Sequence, residues 1–269
     1  AQKLIARIDR LIDEKVEYLK AFNIFLSGLH ANINPAVSRE EAVEMLAQHI
    51  ITRPVFDALF EEYSFAHNNI ISQSMEKMLA LLDEEALEKD METLQKFYLS
   101  VQSNIKDIDN AKAKQHILKE FYDKFFRLAF PKTTEKLGIV YTPIECVDFI
   151  IKSVEDVLNK EFGRSLSDEN IHILDPFTGT GTFIVRLLQS GIIRKEDLLR
   201  KYMKELHANE IILLAYYVAA VNIENAFHDL NNDKYVDFKN ICLTDTFQLG
   251  EESFKEGDLP FTNHFPLNV

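Results

Sequence analysis

The chain has 269 residues and a formal net charge of −13, with 43 acidic against 30 basic side chains. Such a charge repels phosphate backbones, so a self-sufficient nucleic-acid-binding protein is not expected. The only two cysteines, Cys146 and Cys242, are too few for a disulfide framework or a cysteine zinc site. The sequence contains no apolar run of about 18 residues and no secretory signal, so neither a membrane partner nor secretion is expected. The two isolated cysteines fit a reducing cytosol, which predicts a cytoplasmic protein.

The first half of the chain has the periodicity of a helical bundle. Apolar residues recur at spacings of three and four from Leu4 to Val16, and further helices are predicted over 68–82, 84–103 and 108–130. The stretch SREE, Ser38 to Glu41, is a capping box that predicts a helix start. Pro54 is predicted to break or restart the helix that follows. We therefore assign residues 1–136 to a helical domain, whose role as a spacer or coupler is implied by the family resemblance of the second half.

The second half alternates short aliphatic runs that end in acids with amphipathic helices. The runs are IHILD (171–175), ELHANE (205–210) and ICLTD (241–245). This alternation predicts parallel β-α-β units, with ligands bound at the carboxyl ends of the strands. The predicted fold class is α/β, in which the helical bundle precedes the first half of a Rossmann-like sheet with about three parallel strands in residues 137–269.

The turn after the first strand reads DPFTGTGTF and has the features of a ligand-binding loop. Gly179 and Gly181 let the backbone turn sharply, and the positive end of the next helix points at the same place. A dinucleotide fingerprint would need glycine at Ile184, and a Walker-type loop would need lysine directly after Gly181. NAD and FAD are thus disfavoured, and ATP is excluded by this route. Asp175 at the loop entrance suits a ligand with an ammonium group, such as S-adenosylmethionine.

Two further acids follow the next two strands. Glu210 ends the second strand, where a carboxylate can accept hydrogen bonds from both ribose hydroxyls, and Ile211 beside it offers an apolar face for adenine. Asp245 ends the third strand and can accept from the adenine amino group, with Phe247 nearby. Glu210 alone can equally be explained by the dipole of the helix that it precedes. Three strand-terminal acids in succession favour a nucleoside site.

Residues 141–158 predict a helix that packs on the sheet. Thr142 is expected as the N-cap, Pro143 as the first helical residue and Glu145 as the partner of the cap. The apolar residues that share one face of this helix are Val147, Ile150, Ile151, Val154 and Leu158.

The order YTP, DPFTGTGTF, HANE and LTDTF resembles the gamma-class N6-adenine DNA methyltransferases. The likeness is closest to large single-chain restriction–modification enzymes, the type ISP-like helicase–methyltransferase fusions, and it covers residues 137 to 247 with good specificity. It implies S-adenosylmethionine as cofactor and a site made of Tyr141, Thr142, Asp175, Phe177, Gly179, Gly181, Glu210, Ile211 and Asp245. By this resemblance Tyr141 and Thr142 would line the methionine end of the cofactor. Asp175, Phe177, Gly179 and Gly181 would form the loop around the cofactor, Glu210 would hold the ribose, and Asp245 the adenine.

The target-base motif of that family, Asn/Asp-Pro-Pro-Tyr/Phe, is not found in the sequence. DLPF (258–261) is interpreted as a loop, because no buried strand precedes it. The motif holds the flipped adenine, so no catalytic residue is assigned, and no metal ligand is assigned either. The chain also begins inside a helical pattern without methionine and holds only three strands, which predicts a piece of a longer polypeptide. DNA is expected to bind through the parent protein, and weakly or not at all to this acidic chain alone.

Two other functions remain open at this point. The loop DPFTGTGT also resembles that of guanine-N2 tRNA methyltransferases, although the helical N-terminal half argues against an RNA enzyme. In the second alternative, the chain is a non-catalytic helical coupling module and the glycine loop is a remnant.

Overall fold

The computed structural model describes residues 1–59, 69–82, 98–99, 129–130, 142–231 and 236–248. The chain divides into two compact units, Ala1–Ile139 and Val140–Val269. The helices predicted over 84–103 and 108–130 fall almost wholly outside the described residues, and the DLPF stretch falls entirely outside them. Of the described residues, none belongs to a helix that is long and apolar enough to cross a membrane.

The described part of the first unit is helical. Its helices are α1 (Gln2–Glu14), α2 (Val16–Asn32), α3 (Arg39–Leu59) and α4 (Ile70–Leu79). Helix α1 packs on both α2 and α3, and α4 packs on the same two helices. Of the predicted stripe, Leu4, Ile8, Leu11 and Ile12 are buried in α1, whereas Val16 is the first residue of α2 and is 70% exposed. The helix predicted over 68–82 is confirmed as α4, whose first turn is capped because Asn69 accepts from the amide of Ser72 at 3.0 Å.

The capping box at the start of α3 is confirmed. The amide of Ser38 donates to Oε2 of Glu41 at 2.9 Å, and the amide of Glu41 donates to Oγ of Ser38 at 3.1 Å. Each side chain therefore satisfies an amide that the helix itself leaves without an acceptor.

The prediction that Pro54 breaks or restarts a helix is wrong, because α3 runs through it. Proline lacks the N–H that would donate to the carbonyl of Ile50, which normally destabilises a helix interior. Here the flanking residues Ile51 and Val55 are fully buried, and the hydroxyl of Tyr98 donates to the carbonyl of Ile51 at 2.8 Å. Tertiary packing around this turn thus outweighs the local preference.

The second unit alternates helices with strands. Its regular elements are α5 (Ile144–Val157), β1 (Ile173–Asp175), α6 (Thr182–Gln189), α7 (Leu198–Arg200), β2 (Leu206–Glu210), α8 (Leu213–Leu230) and β3 (Ile241–Leu243). A π-helical turn, Leu158–Phe162, continues α5, and another, Lys201–Glu205, joins α7 to β2.

The three strands form a parallel sheet in the order β1-β2-β3, as predicted. Asp175 pairs with Ala208, and Glu210 pairs with Leu243. Because the strands are parallel, their carboxyl ends lie at one edge of the sheet. The prediction that Asp245 ends the third strand is wrong, since β3 ends at Leu243 and Asp245 follows two residues later.

A layer of helices covers the sheet. Helix α8 packs on β2, β3 and α6, and α6 packs in turn on α5. Neighbouring helices lie about 10 Å apart, whereas neighbouring strands are separated by about 4.8 Å. Three helices side by side are therefore expected to be wider than the three described strands.

Helix α5 differs from the sequence prediction in two ways. It begins at Ile144, with Pro143 as an extended cap residue, and Thr142 makes no side-chain cap bond. Of the predicted apolar face, Val147 and Ile151 are buried, whereas Ile150 and Val154 are 43% and 44% exposed. The principal neighbour of α5 is α6 and not the sheet, which explains the exposed half of the face.

A buried lysine supports the segment before β1. The ammonium group of Lys201 has no exposed surface, donates to the carbonyls of Asp168 and Ile171 at 2.7 and 2.8 Å, and pairs with Glu205 at 2.8 Å. The same carboxylate accepts from Arg200. Because this charge is fully paired and hydrogen-bonded, it can be buried without a large penalty.

Candidate nucleoside-binding site

The turn between β1 and α6 needs its two glycines for different reasons. Gly179 and Gly181 have φ angles of +57° and +85°, where residues with a Cβ are strained. A Cβ on Gly181 would lie 3.2 Å from Cγ1 of Ile223 and 3.3 Å from the backbone of Ala219, whereas a Cβ on Gly179 would meet nothing within 4 Å. Gly181 therefore permits close packing of α6 on α8, and Gly179 leaves open space beside the turn.

Glu210 is buried at the end of β2 and fastens the glycine turn. Its Oε2 accepts from the amide of Gly179 at 2.7 Å, and its Oε1 accepts from the amides of Ile211 and Ile212 at 2.9 and 2.8 Å. The carboxylate thus stabilises the start of α8, as the alternative explanation of Glu210 anticipated. Two carboxylate oxygens offer about four acceptor positions, so about one remains for a ligand hydroxyl.

Asp175 presents an unpaired acceptor at the entrance of the turn. Its Oδ1 accepts from the amide of Phe177 at 3.3 Å, while its Oδ2 is buried and has no hydrogen-bond partner in the described part of the chain. Burial raises the pKa of Asp175 to about 6. A buried acceptor without a partner costs about 1–3 kcal/mol, which a ligand donor can recover.

The charge of Asp175 also acts on Glu210. Burial is the main cause that raises the pKa of Glu210 to about 7, and the negative charge of Asp175 adds to the increase. Both carboxyl groups therefore lie in one poorly solvated region, where a positive charge would favour their ionised forms.

Asp245 caps the turn that follows β3. Its Oδ1 accepts from the amides of Phe247 and Gln248 at 3.0 and 3.4 Å. The residue thus lies beyond the strand tip, and its carboxylate has a local structural role that the sequence analysis did not predict.

The segment after β3 contacts the segment after β1. The hydroxyl of Thr246 donates to the carbonyl of Pro176 at 2.7 Å, and Nδ2 of Asn209 donates to Oγ1 of Thr246 at 3.2 Å. The exposed rings of Phe177 and Phe247 have centroids 5.3 Å apart. The sequence analysis missed Asn209 and Thr246; a polar residue inside the buried strand LHANE is the one signal that could have pointed to this link.

The structure places the remaining predicted residues as follows. Ile211 is exposed directly after β2, beside the buried carboxylate of Glu210. Thr142 is exposed two residues before α5, and Tyr141 lies outside the described residues. Together, acceptors at the strand ends, an open glycine turn and exposed apolar side chains fit a nucleoside that carries a positive charge. The helices and the parallel sheet define a Rossmann-like domain.

Family comparisons identify the kind of domain. Residues 113–264 match the N-6 DNA Methylase family, and residues 1–113 match the coupler domain of type ISP restriction-modification enzymes. The chain belongs to the N-6 DNA methylase family, which confirms the resemblance found in the sequence. No curated protein matches the chain significantly. The predicted boundary near Leu137 stays a prediction, since the two family matches meet at residue 113 and the compact units meet after Ile139.

Three solved structures are similar over 93% of this chain. One is a nuclease-deletion mutant of the type ISP restriction-modification enzyme LlaGI in complex with a DNA substrate mimic, with 47% identity and a TM-score of 0.81. Another is the ATP-dependent type ISP enzyme LlaBIII bound to DNA, with 49% identity and a TM-score of 0.81. The third is a DrdV–DNA complex, with 34% identity and a TM-score of 0.82. The chain spans 20%, 17% and 25% of these three chains, respectively.

Proposed function

We propose that this chain supplies the S-adenosylmethionine-binding part of an N6-adenine DNA methyltransferase within a type ISP restriction–modification enzyme. The observation that carries the proposal is the buried, unpaired Oδ2 of Asp175 beside the open space at Gly179. An acceptor in this position suits the ammonium group of the cofactor better than a pyrophosphate, which would be repelled. The family match to DNA methylases supports the same cofactor.

The roles of the site residues in this proposal follow from their contacts. Asp175 accepts a hydrogen bond from the amino group of the ligand, and the spare acceptor position of Glu210 takes one ribose hydroxyl. Phe177, Ile211 and Phe247 provide exposed apolar surface for the adenine. Asp245 accepts a hydrogen bond from the adenine amino group in this proposal, while it also caps the turn after β3.

Three further residues complete the proposed site. Thr142 and Tyr141 line the methionine end, and Gly181 keeps the turn against α8. When bound, the cofactor supplies the methyl group as an electrophile. The chain's own contribution is to bind and orient that group, which is a large part of catalysis by positioning.

Methyl transfer itself requires more than this chain. The sequence lacks the Asn/Asp-Pro-Pro-Tyr/Phe motif that would hold a flipped adenine, so we expect no methylation by the chain alone. Its net charge of −13 places DNA binding on other parts of the parent enzyme. The similar LlaGI and LlaBIII structures contain a DNA substrate mimic and DNA, which supports a DNA-binding parent. A cytoplasmic location, expected from the two free cysteines, is part of this proposal.

The two alternative functions fare differently. The match to the N-6 DNA methylase family favours a DNA substrate over the guanine-N2 RNA reaction. The coupler match to residues 1–113 supports a coupling role for the helical part of the chain. We propose that this role exists beside cofactor binding and does not replace it.

Isothermal titration calorimetry of the chain with four ligands tests the proposal. We expect saturable binding of S-adenosylmethionine and S-adenosylhomocysteine, and no binding of NAD or ATP at the same concentrations. The discrimination follows from the missing glycine at Ile184 and the missing lysine after Gly181. A folded chain that binds NAD or ATP more tightly than the two S-adenosyl ligands would contradict the proposal, as would one that binds none of the four.

A further inference from the structure

A bidentate ion pair joins α6, which begins at the glycine turn, to α5, which begins two residues after Thr142. Nε of Arg186 donates to Oδ1 of Asp148 at 2.8 Å, and a terminal nitrogen of the same guanidinium donates to Oδ2 at 2.7 Å. The two side chains are 33% and 34% exposed. A planar guanidinium that meets both oxygens of a carboxylate fixes direction as well as distance, which a lysine cannot do.

The ion pair lies close to the start of both helices. Arg186 is four residues after Thr182, the first residue of α6, and the glycine turn ends at Gly181. Asp148 is four residues after Ile144, the first residue of α5, which corresponds to about 6 Å of helix rise. The pair therefore connects the glycine turn to the end of α5 that carries Thr142.

Apart from apolar packing on α6, few contacts hold this end of α5 in the described residues. Val147 and Ile151 are buried, whereas the exposed residues Phe149, Ile150 and Val154 lie on the rest of its surface. At the far end, Oε2 of Glu155 accepts from the amide of Leu166 at 2.7 Å. Among the hydrogen bonds that join α5 to other elements in the described ranges, those of the Arg186–Asp148 pair thus lie nearest to Thr142.

We propose that Arg186 is a positioning residue that sets the place of Thr142 relative to the glycine turn. Thr142 lines the methionine end of the ligand. Arg186 therefore affects the affinity for the amino-acid part of the ligand and does not affect the affinity for its nucleoside part. This inference rests on the proposed function, because it assumes the role that we proposed for Thr142. The nucleoside part depends on Glu210 and Asp245, whose contacts do not involve Arg186.

The test compares S-adenosylhomocysteine with adenosine, which shares its nucleoside but lacks the amino acid. Dissociation constants are measured by calorimetry for the wild-type chain, Arg186→Gln, Arg186→Lys and Asp148→Asn. We expect Arg186→Gln and Asp148→Asn to lose about tenfold in affinity for S-adenosylhomocysteine and to keep that for adenosine, since a small misplacement of a binding group has effects of this size. Arg186→Lys keeps the charge without the bidentate geometry and is expected to fall between these variants and the wild type.

A matched control and a reciprocal variant separate positioning from general stability. Arg39 pairs with Asp9 and Asp13 at 2.8 and 2.9 Å in the first unit, and its side chain is 31% exposed. Arg39→Gln should leave the affinities for both ligands unchanged. The charge-swapped double variant Asp148→Arg with Arg186→Asp should recover part of the S-adenosylhomocysteine affinity.

The possible outcomes distinguish the two proposals. Variants that bind S-adenosylhomocysteine as tightly as the wild type would overturn the positioning role alone. Equal loss of adenosine and S-adenosylhomocysteine binding would also overturn it, because this result would show a general disturbance of the domain. A wild-type chain that binds neither ligand would overturn the proposed function and this inference together.

Discussion

Replacement of Gly181 by alanine should destabilise the second unit strongly. At a φ of +85° the new Cβ would strain the backbone, at a cost of about 1–2 kcal/mol. The same Cβ would lie 3.2 Å from the side chain of Ile223 and 3.3 Å from the backbone of Ala219, which cannot move without displacing α8. Overpacking of this kind adds about 1–3 kcal/mol, so the expected loss is about 3 kcal/mol.

Gly179→Ala is the matched control for this prediction. Its φ of +57° carries a similar backbone strain, but the added Cβ meets nothing within 4 Å. We expect a loss of about 1 kcal/mol for this variant. Its amide still donates to Glu210, because alanine retains the backbone N–H.

Urea denaturation followed by circular dichroism at 222 nm measures both variants. The difference between them, about 2 kcal/mol, reports the close packing of α6 on α8 without the contribution of the positive φ. Equal destabilisation by the two substitutions would refute the assigned role of Gly181, and so would a Gly181→Ala variant as stable as the wild type.

Three further predictions concern buried charges. Lys201→Met should cost about 3 kcal/mol in urea denaturation, because it leaves the carbonyls of Asp168 and Ile171 without this donor and removes one of the partners of Glu205. The control Lys160→Met, at an exposed pair of 4.0 Å, should change little, and similar effects of both would contradict this reasoning. Glu210→Ala should lower the unfolding free energy by about 2–4 kcal/mol, since three amides lose their acceptor, and should also weaken cofactor binding. An unchanged urea midpoint would show that these hydrogen bonds contribute nothing to stability. Burial raises the pKa values of Asp175 and Glu210 to about 6 and about 7, above their values in the unfolded chain. As the pH rises, the unfolded chain therefore loses these protons before the folded chain does, and the contribution of the two groups to stability falls between about pH 4 and pH 7. A positively charged cofactor favours the ionised carboxylates, so the increase in melting temperature that the cofactor causes should become larger from pH 5.5 to pH 8. An increase that becomes smaller with rising pH would contradict this electrostatic attraction.

Local patterns in the sequence were sufficient to predict much of the second unit. The aliphatic runs around Leu174, Ala208 and Cys242 each form a strand, and their alternation with helices fixed a parallel sheet. The glycine turn also lies where the sequence indicated, because the shape of such a turn depends on residues next to each other. The capping box at Ser38 is confirmed for the same reason.

Features that depend on distant residues were not predictable in this way. The continuation of α3 through Pro54 depends on burial and on Tyr98, which is far away in the sequence. The exposed half of α5 follows from the widths of the helix layer and the sheet, which no local pattern encodes. The sequence placed a carboxylate at Glu210 but could not show that three amides already occupy it.

The link between the two loops at the candidate site is also non-local. The hydrogen bond from Thr246 to Pro176 spans 70 residues, and nothing in either segment indicates the other. The third strand was predicted too long: it ends at Leu243, the amide of Thr244 makes one more bond to the carbonyl of Glu210 at 2.9 Å, and Asp245 already caps the turn that follows. Strand ends are set by such turn contacts more than by apolar periodicity.

The most direct test of the account is the affinity of Asp175→Asn for S-adenosylmethionine, measured by calorimetry beside the wild type and the exposed control Asp156→Asn. The substitution keeps the shape of the side chain and removes its negative charge, so the fold should be retained and the urea midpoint should change little. We expect at least a tenfold loss of affinity for Asp175→Asn and none for Asp156→Asn, since a charge-assisted hydrogen bond to the ligand ammonium would be lost. Retained affinity in Asp175→Asn would contradict the claim that carboxylates at the strand ends form a site for a positively charged nucleoside.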